Sequence, residues 1–203
     1  MSNQVSKLLK LAAEFEKMAG VMSEQPQATS NARAKMKKIE SLNVGAVGQL
    51  YKLAPRMVQL FKFLDNSADK IYKKYVFSDK SKIPGWQKFF NVESVHTNIN
   101  YSDGGINELH EQIMDYAPLF YQMKFKSPGE AFKKIKLIVG NVYVLLERAK
   151  KLSEDESLAA YPQEQSVANQ LAQVLQSVYS LSSSIQDNIL KVDPDASSFT
   201  ISE

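Results

Sequence analysis

The stretch VGQLYKLAPRMVQLFKFLDNSADKIYKKY, residues 47–75, decides the fold. Its apolar positions Val47, Leu50, Ala54, Met57, Phe61, Leu64, Ala68, Ile71 and Tyr75 advance by threes and fours, which lays one apolar stripe along an α-helix. A stripe of about four heptads has to be covered by other helices. Pro55 lies inside it, removes one backbone donor and disfavours helical geometry at Ala54, so the spacing predicts a kink or a helix that restarts at Pro55.

Upstream, a short basic helix is expected from about Ala32 to Leu42, with Gly45 and Gly48 as a hinge before the long helix. Residues 23–31, Ser-Glu-Gln-Pro-Gln-Ala-Thr-Ser-Asn, hold no large apolar side chain and read as a solvated linker. Residues 1–22 form a separate amphipathic unit. There Val5, Leu8, Leu9, Ala12, Phe15 and Ala19 recur at helical spacing, with Asn3 to cap the helix and Gly20 to end it. Glu16 falls on the apolar side between Val5 and Leu9, which suits the rim of a protein groove better than an acyl boundary.

Downstream, residues 78–105 lose the period and are punctuated by Pro84-Gly85 and Asp103-Gly104-Gly105. A structured loop is expected, in which Trp86, Phe89 and Phe90 plug the bundle and the alternation from Val92 to Tyr101 permits a strand. Helical spacing resumes at Ile106, Leu109, Ile113, Tyr116, Ala117 and Phe120, with Pro118 as a second kink position. Ser127-Pro-Gly-Glu130 opens the next helix: Ser127 can cap the Glu130 amide, Glu130 can reach back to the Ser127 amide, and Pro128 sits where its missing donor costs nothing. That helix should bury Phe132, Ile135, Ile138, Val139, Val142, Leu145, Leu146 and Ala149 and close at Lys150-Lys151. After Glu154-Asp-Glu156 and Pro162, a last helix carries Val167, Leu171, Val174, Leu175, Val178, Leu181, Ile185 and Ile189 on one face. The fold class is therefore all-α, a helical bundle of four to five main helices with an N-terminal amphipathic helix and a structured loop around Trp86. The bundle domain spans 32–191, and residues 192–203 form a disordered tail.

Composition agrees with a folded chain. Of 203 residues 44% are hydrophobic and 23% charged, far from the signature of disorder. The absence of Cys removes disulfides, thiolate metal sites and Cys nucleophiles, leaving packing as the source of stability. Lys7 and Lys10 interrupt the leading apolar residues, so no secretory signal is expected, and Leu137–Leu146 is too short to cross a bilayer. A cytoplasmic location, or one inside an assembled intracellular particle, follows as an expectation, with membrane partners disfavoured.

Chemistry is sparse. With only His96 and His110, no zinc-enzyme spacing exists, and Glu108, Glu111 and Asp115 beside His110 read as a solvated acidic face. No metal, cofactor or catalytic residue is implied, since Ser182-Ser183-Ser184 lacks the Gly-x-Ser-x-Gly elbow and no phosphate-cradling loop is present. Basic residues give a second lead: Arg33, Lys35, Lys37 and Lys38 in one segment, and Lys70, Lys73, Lys74, Lys80, Lys82 and Lys88 among aromatic rings in another. Cations for phosphates and rings for bases are what single-stranded nucleic acid requires, although amphipathic helices show the same pattern. The leading expectation is a non-catalytic structural or assembly protein acting through protein–protein contact or self-association, including as a component of a larger, for example viral, particle. Its contacts would come from Leu8, Leu9, Phe15 and Trp86. The alternatives are a nucleic-acid-binding module built on 33–38 and 70–88, and an enzyme with a site near His110.

Overall fold

The computed structural model describes residues 2–91, 96–100 and 105–198, with side chains from residue 30 onward. Four α-helices make up the described chain: α1 (Ser2–Tyr75), α2 (Ile106–Tyr121), α3 (Pro128–Ser153) and α4 (Pro162–Val192). Short 3-10 turns lie at Lys80–Lys82, Gly85–Phe89, Glu156–Ala160 and Pro194–Ser198. No strand occurs among the described residues; of the expected Val92–Tyr101 strand only 96–100 are described, mostly as turns, and the rest lies outside.

The largest departure from expectation is the continuity of α1. It does not end at Gly20, does not open into a linker over residues 23–31, and does not stop at Gly45, Gly48 or Pro55. A proline inside a helix removes one i to i−4 bond, and a glycine costs about 1 kcal/mol, neither of which overrides the bonds made by every residue on either side. Around Pro55 burial supplies the rest: Ala54 and Met57 are fully buried while Pro55 itself faces outward.

The core runs where the apolar stripes place it. Leu50, Phe61, Leu64, Ile138, Val142, Leu145, Leu171, Val178 and Ile185 are all buried in one cluster. α4 packs between α1 and α3, with α2 against both of the latter. α1 and α4 are antiparallel, since Lys35 faces Asp193, Asn43 faces Asn188 and Ser67 faces Glu164 along the same seam. Asn43 is fully buried; its amide donates to the Ile39 carbonyl at 2.8 Å and its oxygen accepts from the Asn188 amide at 2.9 Å. With Asn43 fully buried and Asn188 half-buried, this pair favours one helix register, because a slipped alignment would leave the Asn43 amide oxygen without its partner.

Helix ends follow local chemistry. The Ser127 hydroxyl accepts from the Glu130 amide at 3.2 Å, and Pro128 opens α3. Glu130 reaches back to the amide of Lys126 at 2.7 Å, one residue earlier than the Ser127 amide expected. α2 closes in a Schellman turn with Lys124 bonding to Leu119 and Met123 to Phe120, and Met123 takes the left-handed position at φ 50° that usually falls to glycine. The start of the tail, expected to be disordered, is ordered through Ser198. Asp193 forms an ion pair with Lys35 at 2.9 Å and Ala196 is buried, so a polar anchor and an apolar one hold it. Residues 199–203 lie outside the described residues.

Candidate functional site

The segment between α1 and α2 positions Trp86, and it does so by a clamp. The Trp86 amide donates to the Ser157 hydroxyl at 2.9 Å, and Lys88 pairs with Asp155 at 3.0 Å. Asp155 in turn accepts from the Ser157 amide at 3.1 Å and from its hydroxyl, capping the Glu156–Ala160 turn. Burial pushes the Asp155 carboxyl up, but the Ser157 hydrogen bonds and Lys88 outweigh it and hold the group below the usual carboxylate range. The Trp86 ring is fully buried, edge-on to Phe90 at 6.0 Å and to Tyr161 at 5.8 Å. The expectation that it contacts a partner is therefore corrected, because its ring fills the core. Leu8, Leu9 and Phe15 lie outside the residues with described side chains.

The ten basic candidates are not brought together. Arg33, Lys37 and Lys38 are exposed near one end of the bundled part of α1, and Lys70, Lys73 and Lys74 are exposed at its other end. At about 1.5 Å per residue the two groups stand about 48 Å apart, too far for one continuous patch. Four of the cations are already paired: Lys35 with Asp193 at 2.9 Å, Lys73 with Asp69 at 2.6 Å, Lys82 with Asp79 at 3.5 Å, and Lys88 with Asp155. Lys74 lies 5.0 Å from the centre of the Tyr75 ring. Beyond them Phe77 is 98% exposed, beside exposed Lys74 and Lys80.

Around His110, Glu108 accepts from the Gln112 amide at 3.0 Å, and Gln112 accepts from Asn141 of α3 at 2.9 Å, so the acidic face serves the α2–α3 contact. Among the described residues no three His, Asp or Glu side chains come close enough together to hold a metal ion. Of Ser182-Ser183-Ser184, Ser182 is fully buried and donates to the Val178 carbonyl at 2.8 Å, as a packing residue does.

Two surfaces emerge that the sequence reading left unmarked. On α3, Leu137, Tyr143 and Val144 are 55%, 53% and 45% exposed. On α1, Leu42, Val44 and Tyr51 are 51%, 49% and 43% exposed. The signal was present as phase: at about 100° per residue, Leu137 and Val144 fall opposite the buried stripe of α3, where charged side chains are the norm. Beside Leu137 a groove of ≈ 680 Å³ is lined by Lys133, Lys136 and Gly140, and a second of ≈ 690 Å³ lies between Met36 on α1 and Met123 and Phe125 after α2. Comparison with protein-family models, curated proteins and solved structures gives no match to this chain. Among the described residues no helix is long and apolar enough to cross a membrane.

Proposed function

We propose that this chain is a non-catalytic helical assembly protein that works through protein–protein contact, as a component of a larger particle within the cell. One observation carries the reading. The seam between α1 and α4 steps antiparallel from Ser67 and Glu164 to Lys35 and Asp193, where α4 ends at Val192 and the following turn packs on α3 and α4. α4 thus stops beside Lys35, while α1 continues as helix back to Ser2. Helices in proteins draw most of their stability from packing an amphipathic face, and the sequence before residue 23 carries its own apolar stripe, so a partner surface is the economical cover. Residues 1–22 remain the proposed docking unit, now as the leading part of one long helix.

A second reading, binding of single-stranded nucleic acid, draws support from Phe77, an exposed ring flanked by Lys74 and Lys80 that suits base stacking. Light scattering together with polarisation assays on short RNA and DNA over a salt series separates the two. The assembly reading expects self-association or inertness toward nucleic acid. Binding whose affinity falls steeply with salt overturns it in favour of the second reading.

A further inference from the structure

We infer that the outer face of α3 is a self-association surface, on which a second copy of this chain packs its own α3 antiparallel about a two-fold axis at Gly140. The inference rests on the assembly reading above and names one of its partners.

Gly140 is the starting point. It lies mid-helix, is exposed, and a Cβ added there would meet nothing within 4 Å. No contact inside the chain asks for a glycine, and a helix interior penalises one. Leu137 and Val144 stand one turn to either side on the same outer face, both solvent-exposed, and the groove beside them is open. The absent side chain lets a second helix approach closely there, with the two apolar neighbours as its contacts.

Charge identifies that second helix. In an antiparallel pair crossing at Gly140, a residue before it on one copy faces the residue equally far after it on the other. Lys133 and Glu147 stand seven residues to either side, and Glu130 stands ten before, facing Lys150 and Lys151 ten and eleven after. By the same alignment Leu137, three before, faces the exposed Tyr143, three after, with Val144 the next residue along. The face is thus complementary to itself end for end, which a two-fold contact requires and which a foreign partner has no reason to match. Within one copy Glu147 already holds Lys150 at 3.2 Å, and both side chains are about half exposed, so neither is withdrawn from the surface. A single helix pair buries less than the roughly 1,200 Å² of a standard interface, so the dimer belongs to the weak, transient class.

The test is sedimentation velocity on the full chain from about 5 µM to 1 mM, with Lys133→Glu and Glu147→Lys as separate variants and circular dichroism to verify their fold. Each substitution places like charges opposite each other twice per dimer, and self-association should weaken about tenfold or more. An equimolar mixture of the two variants restores opposite charges at both places, and should dimerise to within about threefold of the unaltered chain. A dimer that ignores both substitutions, or a mixture no better than its components, overturns the α3 surface but leaves association through another surface standing. An unaltered chain that stays monomeric throughout overturns the α3 surface as well, and only heterologous assembly then remains.

Discussion

Replacing Asp155 with alanine should loosen the Trp86 segment without touching an apolar core residue. The carboxylate does two jobs: it caps the Glu156–Ala160 turn through the Ser157 amide, and it pairs with Lys88 from the segment after α1. Loss of a cap costs about 1 kcal/mol. Lys88 is 49% exposed, so screening limits the ion pair to about 0.5–1 kcal/mol. Ser157 also loses the acceptor that orients its hydroxyl toward the Trp86 amide, which brings the whole effect to about 2–3 kcal/mol. For a domain of this size that is a fall in Tm of about 4–12 °C. Trp86 is the single tryptophan, so intrinsic fluorescence reports on this site alone, and a red-shifted emission with faster acrylamide quenching should accompany the lower Tm. The pH dependence has a definite sign. Because the folded-state carboxyl titrates below its ordinary value of 3.8, the stabilisation is fully present above that value and is lost as pH falls through the folded pKa. The variant and the parent should therefore converge in stability as pH falls below 3.8 and through the lower folded value. An Asp155→Ala protein with the parent's Tm and emission maximum at neutral pH would refute the clamp.

Leu145 is fully buried at the centre of α3, and Leu145→Ala should cost about 2–5 kcal/mol in chemical denaturation. The buried Tyr116 hydroxyl has no hydrogen-bond partner, so Tyr116→Phe should leave Tm unchanged or raise it, whereas a loss above about 1 kcal/mol would reveal a partner for that oxygen. Two helical glycines should respond in opposite ways. Gly140→Ala, with open space around it, should stabilise the dilute protein by about 0.5–1 kcal/mol. Gly48→Ala puts a methyl group 2.9 Å from the Tyr121 hydroxyl, which now donates to the Val44 carbonyl, and should gain nothing or lose stability in the same thermal melts.

The core was readable in the sequence because period and burial report the same quantity. Every apolar residue at the centre of the stripes through Leu50, Ile138 and Leu171 is buried, and the Ser127 cap lies where its spelling places it. Breakers were less informative. Pro26, Gly45, Gly48 and Pro55 each carry a local penalty, but a penalty of a few kcal/mol does not end a helix whose neighbours are bonded on both sides or buried. The tail failed for a related reason: Asp193 and Pro194 read as a solvated end, while the ion pair to Lys35 and the burial of Ala196 are long-range facts with no local signature. Of the candidate surfaces, the basic residues were legible as composition but not as geometry, since nothing in their spacing says that α1 is unbroken and holds the two groups far apart. Trp86 was correctly placed as a plug, and that role is what removes it from the surface.

The helical residues before about 30 should be dispensable to the bundle and required for attachment. Removing residues 1–29 and measuring Tm by calorimetry alongside mass by light scattering tests this in one preparation. Because α4 ends beside Lys35 of α1, the shortened protein should melt within about 2 °C of the full chain while losing the partners or copies that residues 1–29 hold, with pairing through α3 unaffected. A fall in Tm of several degrees with association intact would contradict the account and make the leading helix an ordinary member of the bundle.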